Sequence, residues 1–157
     1  MPGLDIIIRP GGLEQAAVQS LLREHLERMA AISPPESCHA LDATELDHPS
    51  VSFWSAWEGD ALAGCGALKE LDARHGEIKS MRTADAYLRR GVAARILETI
   101  LATAGGRGYE RLSLETGSME EFAPARTLYA RYGFEYCPPF GGYVSDPNSL
   151  YMTLNLA

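Results

Sequence analysis

The segment Leu88–Ala93 contains residue types that favour binding of a phosphate group. It reads Leu-Arg-Arg-Gly-Val-Ala and lies between a predicted strand and a predicted helix. The first N–H groups of a helix have no acceptor within the helix, and the helix dipole is positive at that end. Gly91 and Ala93 are small enough to let a phosphate approach the backbone, and Arg89 and Arg90 add charge-assisted hydrogen bonds. The site is neither a Walker loop nor a dinucleotide fingerprint, because GxxxxGK[ST] is absent and GxGxxG does not follow the first strand.

Charge is unevenly distributed along the sequence. The 157 residues include 14 Lys and Arg against 21 Asp and Glu, a formal net charge of -7. Between Lys79 and Arg95 there are five cations and one acid, a local charge of +4, so the remaining residues carry -11. A short basic segment in an acidic protein favours a small polyanionic ligand, and a solvated helix start is the alternative explanation. The acidic total argues against nonspecific binding of nucleic acid.

Length and composition favour one globular domain over residues 1–157. Apolar residues make up 46% of the chain and charged residues 22%, close to the averages of globular proteins. The longest uncharged apolar stretch, Ala61–Leu68, is too short to span a bilayer, and no signal peptide is recognised, so we expect a cytoplasmic protein with no membrane partner. The cysteines form neither a CxxC pair nor an even set, which predicts free thiols and no metal site; they are Cys38, Cys65 and Cys137.

The periodicity of apolar residues predicts a mixed α/β fold. Strands are predicted at residues 5–9, 51–58, 61–71, 77–83, 111–116, 134–137 and 150–156, and helices at 13–32, 91–104 and 122–132. Residues 77–116 form a strand–helix–strand unit, so we expect its two strands to be parallel with a right-handed crossover. The other strands are expected to be antiparallel, which gives a mostly antiparallel central sheet flanked by helices.

Two spaced motifs resemble those of the GNAT superfamily, the GCN5-related N-acetyltransferases. That family's pyrophosphate loop follows the fourth strand with the pattern Gln/Arg-x-x-Gly-x-Gly/Ala, which Gly91 and Ala93 match and Leu88 does not. Residues 125–134, ARTLYARYGF, are similar to the family's A-x-x-L-Y-x-x-x-G-F segment. The order of predicted elements also fits, so the resemblance spans essentially the whole chain. Further stretches resemble the YsnE-like subgroup of these acetyltransferases, namely residues 36–41, 77–82, 114–117 and 139–143.

The resemblance implies acetyl transfer from acetyl-CoA to an acceptor, usually a primary amine that attacks the thioester directly in a ternary complex. It also implies that the two central parallel strands splay apart around the thioester. The backbone amide of residue 81 or 82 is then the candidate donor to the developing oxyanion. Leu88 stands where the family has a side chain that supports the loop, and we expect the two arginines to compensate. The residues expected to bind coenzyme A are Met81, Arg82, Thr83, Leu88, Arg89, Arg90, Gly91, Val92 and Ala93.

Tyr129 matches the family tyrosine that donates a proton to the coenzyme A sulfur. The pKa values of a phenol, near 10, and of a thiol, near 8.5, are close enough for proton sharing. A core tyrosine is the alternative, because Tyr129 lies on the apolar face of its predicted helix.

Three residues are candidates for the base that removes a proton from the amine. Glu115 is preferred, because it lies near the end of the second parallel strand, beside the expected cleft. Glu77 and His39 are the others, and we expect both to contact the acceptor. His25, on the apolar face of the first helix, is expected to be a packing residue.

The identity of the acceptor stays open at this stage. Tyr143 and Phe140 are expected to wall the acceptor pocket, although packing alone is the alternative. An Arg82 side chain in the cleft would favour an amino-acid-like acceptor, whereas the acidic remainder of the chain favours a cationic amine. Because Leu88 departs from the family pattern, a coenzyme A-binding module without catalysis is a second hypothesis. Acetylation of a protein, for example at its N-terminus, is a third. Members of the family are often dimers, so a homodimer is a further expectation.

Overall fold

The computed structural model describes residues 5–35 and 42–156, and its central element is a seven-stranded sheet. The strand order in this part of the chain is β1-β2-β3-β4-β5-β7-β6. The strands are β1 Ile7–Pro10, β2 Val51–Glu58, β3 Ala61–Asp72, β4 His75–Thr83, β5 Arg111–Gly117, β6 Glu135–Cys137 and β7 Ser149–Asn155. The helices are α1 Ala16–Ile32, α2 Ala43–Leu46, α3 Val92–Gly106 and α4 Ala123–Arg131, with short 3-10 turns at Asp85–Tyr87 and Glu120–Phe122.

The predicted mixed α/β fold is confirmed. β4 and β5 pair in parallel and are connected through α3, whereas the other neighbouring strands pair antiparallel. The predicted start of the third helix at residue 91 is shifted by one position. Gly91 adopts a φ of 80° and is the N-cap, so the helix begins at Val92. No helix among the described residues is long and apolar enough to cross a membrane.

Alternation along the strands separates two packing layers, one on each face of the sheet. On one face, Ile78, Leu112 and Leu114 belong to a core that includes residues of α3 and α4. On the other face, residues of α1 and α2 pack against a second core that includes Phe53 and Cys65. The intervening residues of β4 and β5 are polar, among them Glu77 and Glu115, and lie toward the α1 side.

The parallel strands β4 and β5 separate part-way along their length. Their pairing begins at His75–Arg111 and ends at Ile78–Leu114. β4 continues to Thr83 and β5 to Gly117 without further pairing to each other. The splayed parallel pair implied by the GNAT resemblance is therefore present, and it leaves an opening in the middle of the sheet.

Helix α3 lies close against β3, and two glycines make this possible. A Cβ atom on Gly66 would stand 2.7 Å from Ile96 Cγ2 and 2.6 Å from Met81 Sδ. On Gly64 it would stand 3.1 Å from Val92 Cγ1. Since real Cβ atoms do not approach neighbours this closely, larger residues would push the helix away. The close contact holds the start of α3 beside the opening between β4 and β5.

Candidate active site

A cavity of about 100 Å³ lies where β4 and β5 separate. It extends from the α1 side of the sheet to the α4 side, because residues of both helices line it. Since no other region within residues 5–35 and 42–156 combines such an opening with several buried ionisable groups, we take it as the candidate active site. The lining residues are His25, Met29, Glu77, Ile78, Lys79, Ser80, Met81, Glu115, Thr116, Phe122, Ala125 and Tyr129.

A buried ion pair lies on the α1 side of the cavity. Lys79 Nζ stands 3.2 Å from Glu77 Oε2, and the two side chains are only 8% and 5% exposed. The Tyr143 hydroxyl donates to the same Glu77 oxygen at 2.5 Å and accepts from Lys79 Nζ at 3.0 Å. The two bonds made by Tyr143 attach the segment between β6 and β7 to β4. Tyr143 therefore lies beside the cavity, in contact with two lining residues.

The neighbouring aromatic residues hold Tyr143 in this position. The Phe140 ring packs edge-on against Tyr143, with 5.2 Å between the ring centroids, and against Tyr151 at 6.0 Å. Tyr151 also donates its hydroxyl hydrogen to the Val144 carbonyl. Phe140 and Tyr143 thus pack beside the cavity, but neither is among its lining residues, so the wall of the acceptor pocket stays a prediction.

Glu115 and His25 both line the cavity, and their pKa values are shifted in opposite directions. Burial raises the pKa of the Glu115 carboxyl; the Glu77 charge acts in the same direction and Lys79 opposes it. Burial lowers the pKa of His25 to about 4, and the positive charge of Arg82 contributes. At neutral pH His25 is therefore an uncharged imidazole. A carboxyl group whose pKa is raised by burial suits the role of a general base better than an imidazole whose pKa is lowered by burial.

Tyr129 lies on the α4 side of the cavity. The residue is 6% exposed, belongs to the main core and packs edge-on against Phe134 with 5.7 Å between ring centroids. Burial raises the pKa of the phenol, so the hydroxyl keeps its proton at neutral pH. Tyr129 thus both packs in the core and lines the cavity. Its raised pKa keeps the hydroxyl protonated and also makes it a weaker acid toward a thiolate than an exposed phenol.

The segment Leu88–Ala93 forms an exposed turn at the start of α3. Leu88 is 51% exposed, and Arg89 and Gly91 have φ values of 63° and 80°. A Cβ atom on Gly91 would meet no other atom within 4 Å, so there is open space in front of the backbone here. The Arg90 guanidinium lies 5.8 Å from the centroid of the Tyr87 ring. An open turn with free helix N–H groups and two arginines fits a pyrophosphate.

The remaining residues expected to bind coenzyme A are divided between two places. Met81 lines the cavity, and Val92 is buried in the core, so only its backbone faces the turn. Thr83 pairs with Gly64 at the end of β4. The Arg82 side chain does not line the cavity; its Nη2 lies 3.6 Å from Asp85 Oδ1, next to α1. The hypothesis that Arg82 reaches the acceptor therefore gains no support from this arrangement.

Several lining residues were missed by sequence reasoning. Lys79 follows Glu77 by two positions, so strand alternation places it on the same face and could have identified it. His25 was interpreted as a packing residue, yet it lines the cavity. Ser80 and Phe122 were not selected as site residues. His39 lies outside the described residues, and among those residues no group of three or more His, Cys, Asp or Glu side chains could hold a metal ion.

Comparison with known proteins decides the family. The sequence model described as "Acetyltransferase (GNAT) family" matches residues 17–134. The chain belongs to the acetyltransferase (GNAT) family. It is 63% identical over 139 residues to "Uncharacterized N-acetyltransferase YsnE" of Bacillus subtilis, covering 88% of this chain and 92% of that protein. It is 36% identical over 154 residues to "IAA acetyltransferase" of Azospirillum brasilense, covering 97% of each.

Solved structures show the same fold at lower sequence identity. An acyl-CoA N-acyltransferase from Klebsiella pneumoniae superposes with a TM-score of 0.80 at 21% identity, over 99% of this chain and 100% of that one. A GNAT acetyltransferase from Elizabethkingia anophelis with acetyl-CoA bound gives a TM-score of 0.68 at 18% identity, over 97% and 99%. Together with the relatives, these matches confirm the predicted family and fold, and the chain is an acyltransferase of the GNAT type.

Proposed function

We propose that this acetyltransferase transfers the acetyl group of acetyl-CoA to the amine of a small molecule, which attacks the thioester directly in a ternary complex. The observation that carries the proposal is the cavity between the separated strands β4 and β5. Glu115 lines it from β5, and Tyr129 lines it from α4. A candidate base for the acceptor and a candidate proton donor for the leaving group therefore line the same cavity.

The turn Leu88–Ala93 is the part of the site that would hold the pyrophosphate of acetyl-CoA. Its support is the open space in front of Gly91 and the helix start at Val92. From there the opening between β4 and β5 leads toward Met81, which lines the cavity. The thioester would lie in this opening, where the backbone N–H of residue 81 or 82 is the candidate donor to the oxyanion.

The reaction needs two proton movements. The amine nitrogen bonds to the thioester carbon, and the π electron pair of the carbonyl moves to its oxygen. The nitrogen loses its proton to the Glu115 carboxylate, whose raised pKa suits that task. The carbon–sulfur bond then breaks, and the departing thiolate takes a proton from the Tyr129 hydroxyl. Glu77, Tyr143 and His39 are proposed to contact the acceptor.

The form of the cavity favours a small acceptor. About 100 Å³ is well below the roughly 300–1,000 Å³ of typical ligand pockets, so the space holds the reacting groups and little more. The Glu77–Lys79 pair is neutral as a unit, which leaves the Glu115 carboxylate as the charge that faces the uncharged amine and accepts its proton. One relative bears the name IAA acetyltransferase, and for this reason IAA belongs in an acceptor panel beside small amines.

The test is steady-state release of the coenzyme A thiol from acetyl-CoA with that panel. Glu115→Gln and Tyr129→Phe are expected to lower kcat about 100-fold or more with the best acceptor, because each removes one proton transfer. Matched controls are Glu110→Gln at an exposed site and Tyr132→Phe, whose hydroxyl donates to Glu98 outside the cavity. Both controls should keep wild-type rates. A protein that binds acetyl-CoA but acetylates no acceptor, with Tyr129→Phe indistinguishable from wild type, would instead be a coenzyme A-binding module.

A further inference from the structure

Strand β4 contains a bulge at the point where it leaves β5. On β3, Cys65 pairs with Arg82 and Ala67 pairs with Lys79, so Ser80 and Met81 together face Gly66 alone. The bulge begins two residues beyond Ile78, the last residue of β4 that pairs with β5. It therefore lies at the apex of the opening that forms the cavity.

Ser80 is an unfavourable residue for its position in two respects. Its φ is 56°, in the left-handed region that a residue with a Cβ atom rarely adopts within a strand. The residue is only 8% exposed, and its hydroxyl has no hydrogen-bond partner among the residues that the structure describes. Glycine would remove both penalties, since it tolerates a positive φ and has no hydroxyl to bury. Strain at a residue that lines a cavity motivates the hypothesis that its side chain serves function there.

The opposite strand holds the bulge in place. The Cys65 thiol donates to the Ser80 carbonyl oxygen, with 3.4 Å between sulfur and oxygen. Burial raises the pKa of Cys65 to about 12, so the thiol keeps the proton that it donates. The Ser80 carbonyl is therefore satisfied, whereas the hydroxyl has no partner among the described residues and is left for a ligand.

We propose that the Ser80 hydroxyl donates a hydrogen bond to the thioester carbonyl oxygen of acetyl-CoA. This inference rests on the proposed function and adds a side-chain donor to the backbone N–H already considered. Ser80 lies between Lys79, on the acceptor side, and Met81, whose sulfur lies toward α3. During transfer the thioester carbonyl must lie between the acceptor, near Lys79, and the coenzyme, near Met81. A donor buried at that point stabilises the charge that develops on the oxygen.

The bond would strengthen during the reaction without a proton leaving Ser80. When the amine attacks the carbonyl carbon, the π electron pair moves to the carbonyl oxygen, and the hydroxyl donates to that oxyanion. The pair returns when the carbon–sulfur bond breaks. Ser80 thus touches the reacting atoms and is a catalytic residue of this transfer.

Two variants separate the hydroxyl from the strain. Ser80→Ala removes the hydroxyl and keeps the unfavourable φ, whereas Ser80→Gly removes both. Each is expected to lower kcat about 100-fold with the best acceptor of the panel. Each should also bind acetyl-CoA about two- to tenfold more weakly by titration calorimetry while binding free CoA, which has no thioester carbonyl, unchanged.

Infrared spectroscopy observes the proposed bond directly and needs no acceptor. With acetyl-CoA carrying ¹³C at the carbonyl, the carbonyl stretch of the bound thioester should move to higher frequency in both variants, because a hydrogen-bond donor has been lost. Ser80→Gly should also raise Tm by about 2–4 °C, since the strained and unpartnered side chain is gone. If Ser80 served folding only, both Ser80→Ala and Ser80→Gly would instead have a lower Tm than wild type.

Three results would overturn the inference. They are an unchanged carbonyl frequency in both variants, an equal loss of affinity for acetyl-CoA and CoA, or a kcat loss that only accompanies a lower Tm. These outcomes concern the variants and leave the proposed function intact. If wild-type protein binds no acetyl-CoA, the proposed function fails, and this inference fails with it.

Discussion

His25 gives a quantitative prediction about how pH affects the stability of the fold. Burial and the Arg82 charge lower the pKa of this imidazole in the folded protein from 6.5 to about 4. Above pH 6.5 the imidazole is neutral in both the folded and the unfolded state, so it has no effect on stability there. Below pH 6.5 the unfolded chain takes up a proton that the folded protein does not accept. Stability is therefore lost as pH falls from 6.5 toward 4.

The magnitude follows from the pKa shift. Each pH unit within this window is worth about 1.4 kcal/mol, so between pH 7 and pH 5 His25 lowers the free energy of unfolding by about 2 kcal/mol. His25→Gln removes the titration and keeps a polar side chain. The difference in unfolding free energy between this variant and wild type should therefore change by about 2 kcal/mol, in favour of the variant, as pH falls from 7 to 5.

Urea unfolding followed by tryptophan fluorescence measures this difference, because Trp54 and Trp57 are both buried. His48→Gln is the matched control, since His48 is exposed and its ring bonds only the neighbouring Ser50. The control should follow the wild-type pH dependence. Parallel pH curves for wild type and His25→Gln would refute the reasoning, because they would mean that His25 titrates alike in the folded and unfolded chains.

Three further predictions concern the charge of Lys79, the turn at Gly91 and the end of β5 at Gly117. Lys79→Met should move the acid limb of kcat/KM to higher pH by about one unit, because Lys79 lowers the pKa of Glu115, whereas Lys79→Arg should leave it near wild type. Gly91→Val should destabilise the protein by about 1–2 kcal/mol in urea unfolding and abolish the thermal shift caused by acetyl-CoA, because its φ is 80° and its side chain would fill the space before the turn. Gly117→Ala should cost about 1–3 kcal/mol in the same assay, because its Cβ would stand 2.3 Å from the ring of Phe122, which also lines the cavity. The expectation for Lys79→Met would be contradicted by an unshifted pH profile. That for Gly91→Val would be contradicted by a persisting thermal shift, and that for Gly117→Ala by an unchanged free energy of unfolding.

Most of the fold was predictable from local sequence signals. Periodicity located the strands and the longer helices to within a few residues, since it depends on neighbouring side chains that share one face. The strand–helix–strand unit fixed the parallel relation of β4 and β5, because a helical crossover returns the chain in the same direction. The turn at Gly91 was visible because small residues and arginines follow one another directly.

The site was predictable only in part. Glu115, Glu77 and Tyr129 were selected by strand position or motif, and the structure brings all three to one cavity. Strand alternation could have added Lys79. The entry of His25 into the same cavity depends on how α1 crosses the sheet, which its own amphipathic pattern does not determine.

The sequence by itself determined the order of the elements, the parallel pair and the family, since each depends on residues close together along the chain. The tertiary structure decided where β4 and β5 part, because the end of a ladder depends on the register between distant strands. It also decided the conformation of Ser80, because two residues of β4 must face Gly66 alone on β3. Such a bulge arises from the pairing of two strands, so a buried serine with a left-handed backbone is recognised only after β3 and β4 have been brought together.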